Sequence, residues 1–450
     1  MNKKMKKDVK LSPSAIIAVG FLLLILTATL LLMLPISAQS RQSTPLLTSL
    51  FTATSAVCVT GQALVDTGTH WSLFGQVVLI VAIQIGGLGV MTLMALVSMA
   101  LGKRIGLRQR TLLQESVASF QVGGIVRLVR FAMRGTAVVE GCGAVLLSFR
   151  FVPMLGWAKG IWYGVFHSVS AFCNAGFDLM GETGAFSSLT GYVGDPLVNL
   201  VICLLIVVGG LGFLTWHDVA AHGWHVSQYR LQSKLILLTT LALLVGGFLF
   251  FRFYEFSRPQ WAALTGGERG LAALFQSVSP RTAGFNTVDL TQLSACSQLM
   301  TILLMLAGGS PGSTAGGFKT TTLAVLLLSV GAVIRRQGSA RCFGRRLPDQ
   351  VLRNACAIFL LYLVLFLAGG MLICCMDEIP LMQALFEAAS AIGTVGLSLG
   401  ATAEASEVSR LILIFLMYFG RVGGLTMIYA MAAGSNGASS QYPQEQVTVG

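Results

Sequence analysis

Charged residues are scarce in this sequence. Only 11% of its 450 residues are Asp, Glu, Lys or Arg, whereas about 25% is usual in soluble proteins. Hydrophobic residues make up 54%, and the mean hydropathy is +0.77. A soluble core of this composition is excluded. The apolar residues fall into runs near or above the ~20 residues that cross a bilayer, which predicts an all-α integral membrane protein.

The chain also lacks the cysteine spacing of a zinc site or a disulfide framework. Its nine cysteines include no CxxC pair, and most lie within apolar runs, as small hydrophobic residues do. A convergent set of polar catalytic residues within the apolar runs is lacking as well. We therefore expect no cofactor in this chain and no enzymatic activity.

The first apolar run, residues 16–36, follows five lysines and precedes a stretch of small residues, as a secretory signal peptide would. The hydrophobic region of a signal peptide is only about 7 to 15 residues long. Because this run is longer, we interpret it as a retained membrane helix.

The net charge of +12 reflects membrane topology rather than nucleic-acid binding. Basic residues cluster before the first run, between residues 103 and 134, and between residues 335 and 353, with few in the connections between these clusters. By the positive-inside rule, both termini are cytoplasmic. The opposite connections hold most of the acids, and a negative mouth concentrates cations. We expect a lipid bilayer and no nucleic acid as the partner.

Four similar segments recur along the chain. Eight spans are predicted, centred near residues 26, 88, 139, 208, 244, 313, 365 and 421, and each pair encloses a segment too short to span. Each segment contains Phe-x-x-x-Ser, with a glycine five or six residues after the serine: Gly61, Gly176, Gly284 and Gly396. The pattern predicts four tandem repeats of helix, re-entrant pore loop and helix (M1-P-M2) around one pseudo-fourfold pore.

The repeats divide the chain as follows. Residues 1–11 form a basic cytoplasmic N-terminus, 12–101 repeat 1, 102–221 repeat 2 with its cytoplasmic linker, 222–334 repeat 3 with a broken second helix, 335–433 repeat 4 with a basic cytoplasmic linker, and 434–450 a cytoplasmic C-terminus.

The four loops suit a monovalent cation. Each should begin as a short helix, near residues 44, 159, 267 and 379, that ends at its serine with its partially negative end toward the pore. Non-helical chain at membrane depth must line a cavity or lie inside protein. No carboxylate occurs in the five residues before each glycine, so backbone carbonyls would bind the ion, and carbonyls suit a large monovalent ion better than calcium.

The predicted ion-binding positions are the three residues that end at each glycine. They are Val59, Thr60, Gly61, Asn174, Ala175, Gly176, Thr282, Ala283, Gly284, Thr394, Val395 and Gly396. Arg281 should face protein rather than the ion. A single Ser-x5-Gly pattern is often mere helix packing, but four copies in register favour a shared site.

These repeats resemble the Trk/Ktr/HKT superfamily of potassium transporters, whose selectivity filters carry one glycine per repeat. With eight spans and the ending at residues 442–450, the chain is most similar to the KtrB-type bacterial subunit. The resemblance implies potassium uptake across the bacterial cytoplasmic membrane by a homodimer, gated by a cytoplasmic ring of nucleotide-binding (RCK/KTN-type) subunits.

The same resemblance bears on selectivity. Some members carry serine at the first filter position and admit sodium, so Gly61 implies selectivity for potassium, with sodium as an activator at most. Gln62 stands where a leucine is expected, which is a departure from the family pattern.

A glycine-rich segment interrupts the sixth span. Pro311 cannot lie in a continuous helix there, and irregular chain at mid-membrane must line a cavity. The resemblance implies an intramembrane gating loop with these residues: Gly308, Gly309, Ser310, Pro311, Gly312, Ser313, Thr314, Ala315, Gly316, Gly317 and Lys319. A nucleotide-binding G-x-x-x-x-G-K-[ST] loop is disfavoured because Phe318 separates Gly317 from Lys319 and no strand precedes it.

Arg421 lies in the middle of the last span. A charge there costs at least ~2.5 kcal/mol unless it is paired or hydrated. We predict that it faces the cavity below the filter, held by loop groups such as Ser313 or Thr314, and repels a waiting cation. The alternative is a structural pair with Glu140 or another acid.

Two other classes of protein remain. A secondary cation transporter, sodium-coupled or sodium-permeable, would explain the broken sixth span, but inverted repeats would then be expected, whereas these repeats share one orientation. A membrane enzyme would need catalytic polar residues in the spans.

Overall fold

The computed structural model describes residues 12–89, 124–424, 426 and 427, together with Thr92 and Gln114. The predictions for the two terminal segments, residues 1–11 and 434–450, lie outside the described residues. So do most of the end of repeat 1 and most of the linker that opens repeat 2.

Helices dominate the described part of the chain. Those of ten or more residues are α1 (Pro13–Leu32), α2 (Leu46–Val57), α3 (Leu73–Leu88), α4 (Ile125–Leu155), α5 (Trp157–Phe172), α6 (Pro196–Gly210), α7 (Phe213–His222), α8 (Leu231–Phe250), α9 (Gly266–Val278), α10 (Ala295–Ala307), α11 (Thr320–Ile334), α12 (Asp349–Asp377), α13 (Leu381–Gly393) and α14 (Glu407–Val422). Shorter helical turns are Pro35–Ser37, Thr67–His70, Met180–Glu182, Thr190–Tyr192, Val226–Gln228, the π-turn Phe251–Glu255, Pro259–Trp261, Leu290–Gln292 and Ala401–Glu404.

Four described helices are long and apolar enough to cross a membrane. They are Ser14–Leu32 in α1, α4, α8 with its π-turn (Leu231–Glu255), and α12. The pair α6 and α7 would form a fifth span with a bend of 97°. Five further apolar helices of 10 to 17 residues, α2, α3, α10, α11 and α13, are too short for that test. The chain is therefore a multi-pass membrane protein.

The short helices pack in a closed ring. Each long helix packs against the short helix that follows it, as α1 does on α2, α4 on α5, α8 on α9 and α12 on α13. Each short helix also contacts a helix of the preceding segment: α5 packs on α3, α9 on α6, α13 on α10, and α2 on α14. Since α14 is the last helix and α2 the second, this final contact closes the ring.

Two of the helices after the pore loops are broken. The interruption predicted in the sixth span is present, because α10 ends at Ala307 and α11 begins only at Thr320. The fourth span, expected to be continuous, is broken as well: α6 ends at Gly210, and Gly212 has φ +89°, a left-handed conformation that favours glycine. This glycine explains the bend between α6 and α7.

The basic linker before α12 contains a small hairpin. Strands β1 (Arg341–Cys342) and β2 (Arg345–Arg346) pair antiparallel, with Arg341 opposite Arg346. The two turn residues, Phe343 and Gly344, both have positive φ, as a two-residue type I′ turn requires. These two short strands, four residues in all, are an exception to the predicted all-α fold.

Candidate functional site

The serine of each Phe-x-x-x-Ser motif anchors its loop through its backbone. The Ser55 and Ser170 carbonyls accept from the N–H groups of Thr60 and Ala175 at 2.8 Å. The equivalent bonds in the other two loops join Ser279 to Ala283 at 2.9 Å and Ser390 to Val395 at 2.8 Å. In each loop the bond holds the residue before the glycine, so the serine fixes where the chain turns away from the helix.

The serine hydroxyls hold the glycines or the residues after them. Ser55 and Ser390 accept from the backbone N–H of Gly61 and Gly396, each at 3.0 Å. In the other two loops the hydroxyl donates instead, from Ser170 to the Phe177 carbonyl and from Ser279 to the Phe285 carbonyl. The recurring serine is thus a structural part of every loop, a role that the sequence pattern left unassigned.

The short helices run slightly beyond the predicted ends in three loops. They reach Val57, Phe172 and Gly393, two or three residues past their serines. The third, α9, ends at Val278, one residue before Ser279. Pro280 follows Ser279, which still has a helical backbone, and proline has no N–H to continue the helical hydrogen bonds. The glycine of this loop follows its serine by five residues instead of six, and the earlier end of the helix accompanies this shorter spacing.

The backbone conformation repeats fourfold. The glycines have φ between +70° and +100°, and the residue two positions before each glycine is left-handed as well, with φ between +50° and +72°. These residues are Val59, Asn174, Thr282 and Thr394. Left-handed conformation is unusual for β-branched side chains and costs about 1–2 kcal/mol per residue. Strain of this kind clusters at functional sites, and here it occurs at Val59, Thr282 and Thr394, whereas Asn174 adopts this conformation more readily.

The four loops meet each other in one ring. A Cβ built on each glycine would lie under 3.0 Å from the carbonyl oxygen that precedes the glycine of the next loop. The pairs, in order around the ring, are Gly61 with Ala175, Gly176 with Ala283, Gly284 with Val395, and Gly396 with Thr60. Only glycine fits this approach. The structure therefore brings all twelve predicted filter residues into one place.

A cavity of about 250 Å³, the vestibule, opens above this ring and is lined by all four glycines. Three acids, Asp66, Asp178 and Asp289, also line it. Burial raises the pKa of Asp289, but hydrogen bonds from Thr291 and Gln292 outweigh it and hold that pKa below its usual range, so Asp289 is ionised at neutral pH. Burial raises the pKa of Asp178 to about 7, so Asp178 is only partly ionised at neutral pH. Asp66 and Asp289 still give the cavity the negative character expected of a cation entrance.

Gln62 ties the first loop to the fourth short helix. Its amide donates to the Glu387 carboxylate at 3.1 Å and to the Glu387 carbonyl at 3.2 Å. The buried carboxylate also accepts from Ser398, Leu399 and Thr402, all beyond the fourth glycine. Glu387 thus joins the first and fourth loops, a role that sequence reasoning missed. The unexpected glutamine after Gly61 was the sequence feature that could have indicated a polar partner such as Glu387.

Arg281 faces protein, as predicted. Its side chain is buried and donates to the hydroxyl of Thr240 on α8 at 3.4 Å. It lies beside Gly210 and Gly309, near the breaks in the fourth and sixth spans.

The segment 308–319 lies against the inner side of the ring. Its backbone N–H groups donate to α6 and α14, from Ser310 to the Gly210 carbonyl and from Gly317 to the Gly420 carbonyl at 3.0 Å. Thr314 donates its hydroxyl to the Phe172 carbonyl and the Asn174 side chain, both at 3.0 Å. The segment therefore bonds to the second loop, lies beside Gly393 and Thr394 at the fourth loop, and contacts the ends of two surrounding helices.

Two basic side chains hold this segment. Lys319 donates to the carbonyls of Ala315 at 2.8 Å and Gly316 at 3.0 Å. Arg421 donates to the carbonyl of Thr314, and on α3 to the carbonyls of Gly86 and Gly87. Arg421 thus bridges the segment and the end of α3.

The alternative pairing of Arg421 with Glu140 is not formed. The Glu140 carboxylate accepts instead from Gln84 at 3.2 Å and Cys173 at 3.8 Å. Of the loop carbonyls and hydroxyls that the sequence offered to Arg421, the backbone carbonyl of Thr314 accepts from it.

A Gly-x-x-Gly pattern marks three of the helices that follow the loops. It occurs at residues 86–89, 209–212 and 420–423, and the second glycine has φ +86° to +89° in all three. A Cβ on the first glycine would collide with the carbonyl of Val57, Phe172 or Ile392, at the end of the short helix of the same segment. Sequence reasoning missed this pattern, in which Arg421 occupies the position of Gly87 and Gly210.

In this fold, apolar helices surround a ring of four in-turned loops. A negative cavity lies on one side of the ring and the segment 308–319 on the other. This architecture defines a class of multi-pass membrane proteins. The model of the TrkH family, described as cation transport proteins, matches residues 3–442. The chain belongs to this family.

Relatives with assigned names match over their full length. The potassium/sodium uptake protein NtpJ of Enterococcus hirae is 39% identical over 100% of this chain and 99% of its own. The Ktr system potassium uptake protein B of Bacillus subtilis is 39% identical over 99% of both chains. The crystal structure of the potassium transporter TrkH from Vibrio parahaemolyticus has the same fold, with a TM-score of 0.72 at 19% identity over 95% of this chain and 86% of its own.

Proposed function

We propose that this chain takes up potassium across the bacterial cytoplasmic membrane through a filter formed by the twelve residues of the glycine ring. The observation that carries the proposal is the cyclic contact of each glycine with the carbonyl before the next one. Carbonyl dipoles in such a ring replace the hydration shell of a monovalent ion. The vestibule acids supply the attraction that brings the cation to the ring.

The segment 308–319 and Arg421 form the gate in this proposal. Arg421 carries a positive charge just below the ring and fastens the segment to α3. The segment contacts the Phe172 and Asn174 region of the filter through Thr314. In this position it blocks the path until it moves, and its small residues allow such movement.

The architecture proposed around this pore is four tandem M1-P-M2 repeats with eight spans and both termini in the cytoplasm. The long helices α1, α4, α8 and α12 are the first helices of the repeats, and α3, α6 with α7, α10 with α11, and α14 are the second helices. The cyclic packing of α2, α5, α9 and α13 supports this assignment.

The chain acts as the membrane subunit of a larger system. Relatives named as Ktr system components support this role. We propose a homodimer that binds a cytoplasmic ring of RCK/KTN-type regulatory subunits. Sodium coupling or permeation is the second candidate function, favoured by the name of the Enterococcus hirae potassium/sodium uptake protein.

Uptake of rubidium or potassium in a host deficient in potassium uptake tests the function. The wild-type chain, expressed with its regulatory subunit, should restore growth at low potassium and take up rubidium. Failure to do so in a membrane fraction that contains folded protein would contradict the proposal. Uptake that depends on sodium would favour the coupled alternative.

The substitution Gly61→Ser tests the filter. A side chain at this position meets the Ala175 carbonyl and the backbone of Gly176, so the ring must widen or shift. Potassium uptake should fall and the preference for potassium over sodium should decrease, measured by uptake of both ions in proteoliposomes.

The matched control is Gly156→Ser. Gly156 has a similar φ of +81° but nothing within 4 Å of an added Cβ, so it carries the backbone strain without the filter contact. Equal loss of selectivity in both variants would contradict the filter assignment.

A further inference from the structure

A basic, apolar-walled cavity lies outside the proposed conduction path. It has a volume of about 750 Å³ and lies between α4, the end of α6 and the bent helix α7. The 97° angle between α6 and α7 creates it, because α7 turns away from the bundle and leaves a space beside α4. Its size falls within the range of cavities that hold small organic ligands.

One face of α4 supplies a row of positive charge to this cavity. Arg127, Arg130 and Arg134 are spaced three and four residues apart, so they share one helix face, and all three line the cavity. All are exposed. Within residues 124–424, none of the three lies within ion-pair distance of an acid. The row therefore offers several guanidinium groups to an anion.

The remaining wall is almost entirely apolar. It is formed by Phe131, Gly135, Val138, Val139, Val208, Leu211, Trp216, Val219 and Ala220. Val138 and Val219 are exposed hydrophobic residues. A free inorganic anion gains nothing from such a wall, whereas an acyl chain does.

From these observations we infer that the cavity binds an anionic phospholipid, with its phosphate on the three arginines and its glycerol and acyl region along α6 and α7. Arginine matches phosphate oxygens with paired hydrogen bonds. The cavity lies at the start of α4, while the other end of α4 leads into α5 and the vestibule loops, so the lipid belongs to the leaflet opposite the vestibule. This is the inner leaflet in the proposed topology, where basic pockets between helices bind anionic headgroups.

Native mass spectrometry of the purified full-length chain tests this site. Dioleoyl phosphatidylglycerol is titrated against dioleoyl phosphatidylcholine of the same chain length. We expect phosphatidylglycerol to remain bound and phosphatidylcholine to be lost. Equal retention of both lipids would overturn the proposal. The measurement does not depend on ion flux, so it is independent of the proposed transport function.

Two variants separate charge from shape. Replacing Arg127, Arg130 and Arg134 by glutamine should weaken phosphatidylglycerol binding by about tenfold or more. Ala220→Trp keeps all charges but fills the cavity from an exposed position, and it should weaken binding as well. If only the triple variant lost lipid, the arginines would attract lipid merely as surface charge. The proposal of a lipid bound inside the cavity would then be wrong.

The matched control replaces Arg335, Arg341 and Arg345 by glutamine. These residues are exposed, and their replacement removes the same amount of positive charge. They do not line the cavity. Lipid binding should be unchanged, and an equal loss in this control would overturn the site. Sodium phosphate added at millimolar concentration should not compete with the lipid, and displacement of the lipid by phosphate would identify an anion site instead.

Discussion

At the scale of single residues, three basic side chains near the ring are held, in the part of the chain that the structure describes, by backbone carbonyls or hydroxyls rather than by acids. Arg421 and Lys319 donate to carbonyls of the segment 308–319, and Arg281 donates to Thr240. A buried charge that loses its partners is strongly destabilised. A guanidinium that donates to carbonyls can exchange one carbonyl for another when the segment moves, whereas an ion pair would resist such an exchange.

Arg421→Ala should increase ion flux. The substitution removes the positive charge below the ring and the bonds to Thr314, Gly86 and Gly87. Hydrogen bonds to charged groups contribute about 1.5–3 kcal/mol each, so loss of one such bond in the closed state alone would raise the open population roughly tenfold. Rubidium flux into proteoliposomes measures the effect. Arg410→Ala, on the same helix, is the control, and unchanged flux for Arg421→Ala would argue against the gate.

Glu387→Gln should weaken both the fold and the selectivity. Gln62, Ser398, Leu399 and Thr402 all donate to the carboxylate, and an amide would place its own N–H donors against some of them. The cost is about 1–3 kcal/mol per unsatisfied group. Thermal unfolding and the potassium-to-sodium uptake ratio measure the two effects.

The control for Glu387 is Gln383→Ala. Gln383 lies one helical turn earlier on α13 and makes one bond, to the Leu399 carbonyl. A variant at Glu387 that lost stability but kept full selectivity would show that the Gln62 contact does not position the filter.

At the scale of secondary-structure elements, glycine decides where the helices after the loops stop or bend. Gly89, Gly212 and Gly423 have left-handed backbones, and Gly86, Gly209 and Gly420 approach carbonyls too closely for a side chain. In the predicted repeat 3 the helix ends at Ala307, before Gly308, and the segment 308–319 follows. A glycine after the helix therefore accompanies a bend in the predicted repeat 2, at Gly212, and a long break in the predicted repeat 3.

Deletion of residues 312–316 should raise flux more than Arg421→Ala does. The deletion removes Thr314, which contacts the filter region, and the carbonyls that hold Lys319. Without these contacts the segment cannot cover the ring from below. Rubidium flux in proteoliposomes, compared with wild type at equal amounts of folded protein by size-exclusion chromatography, measures the change. Flux equal to wild type in this variant would mean that the segment does not close the path.

At the scale of the whole molecule, charge is separated across the bundle. The vestibule above the ring carries acids, whereas the start of α4 and the β1–β2 hairpin carry arginines. Membrane insertion orients such a chain with its basic connections inside. In the proposed topology, the vestibule then faces the medium from which the cation is taken.

Thiol labelling of intact cells checks this orientation. Cys296 lies at the start of α10 and is exposed, near the vestibule end, whereas Cys342 lies in the basic hairpin. In single-cysteine variants, a membrane-impermeant maleimide should label Cys296 in intact cells and Cys342 only after permeabilisation. Labelling of Cys342 in intact cells would reverse the proposed topology.

The sequence by itself determined the membrane class, the four loops and the interruption of the sixth span. These features are local: apolar runs, a repeated spacing of Phe, Ser and Gly, and a proline that cannot continue a helix. Only the tertiary structure decided the cyclic order of the loops, the bonds of Arg421 to Gly86 and Gly87, and the Gln62–Glu387 tie. These contacts join residues as far as 335 positions apart, and their partners are mostly backbone carbonyls, which every residue carries and no sequence pattern marks. The bend at Gly212 could not be predicted from the sequence either. A glycine in an apolar run gives no indication of whether the helix bends there, a neighbouring backbone approaches it closely, or neither occurs.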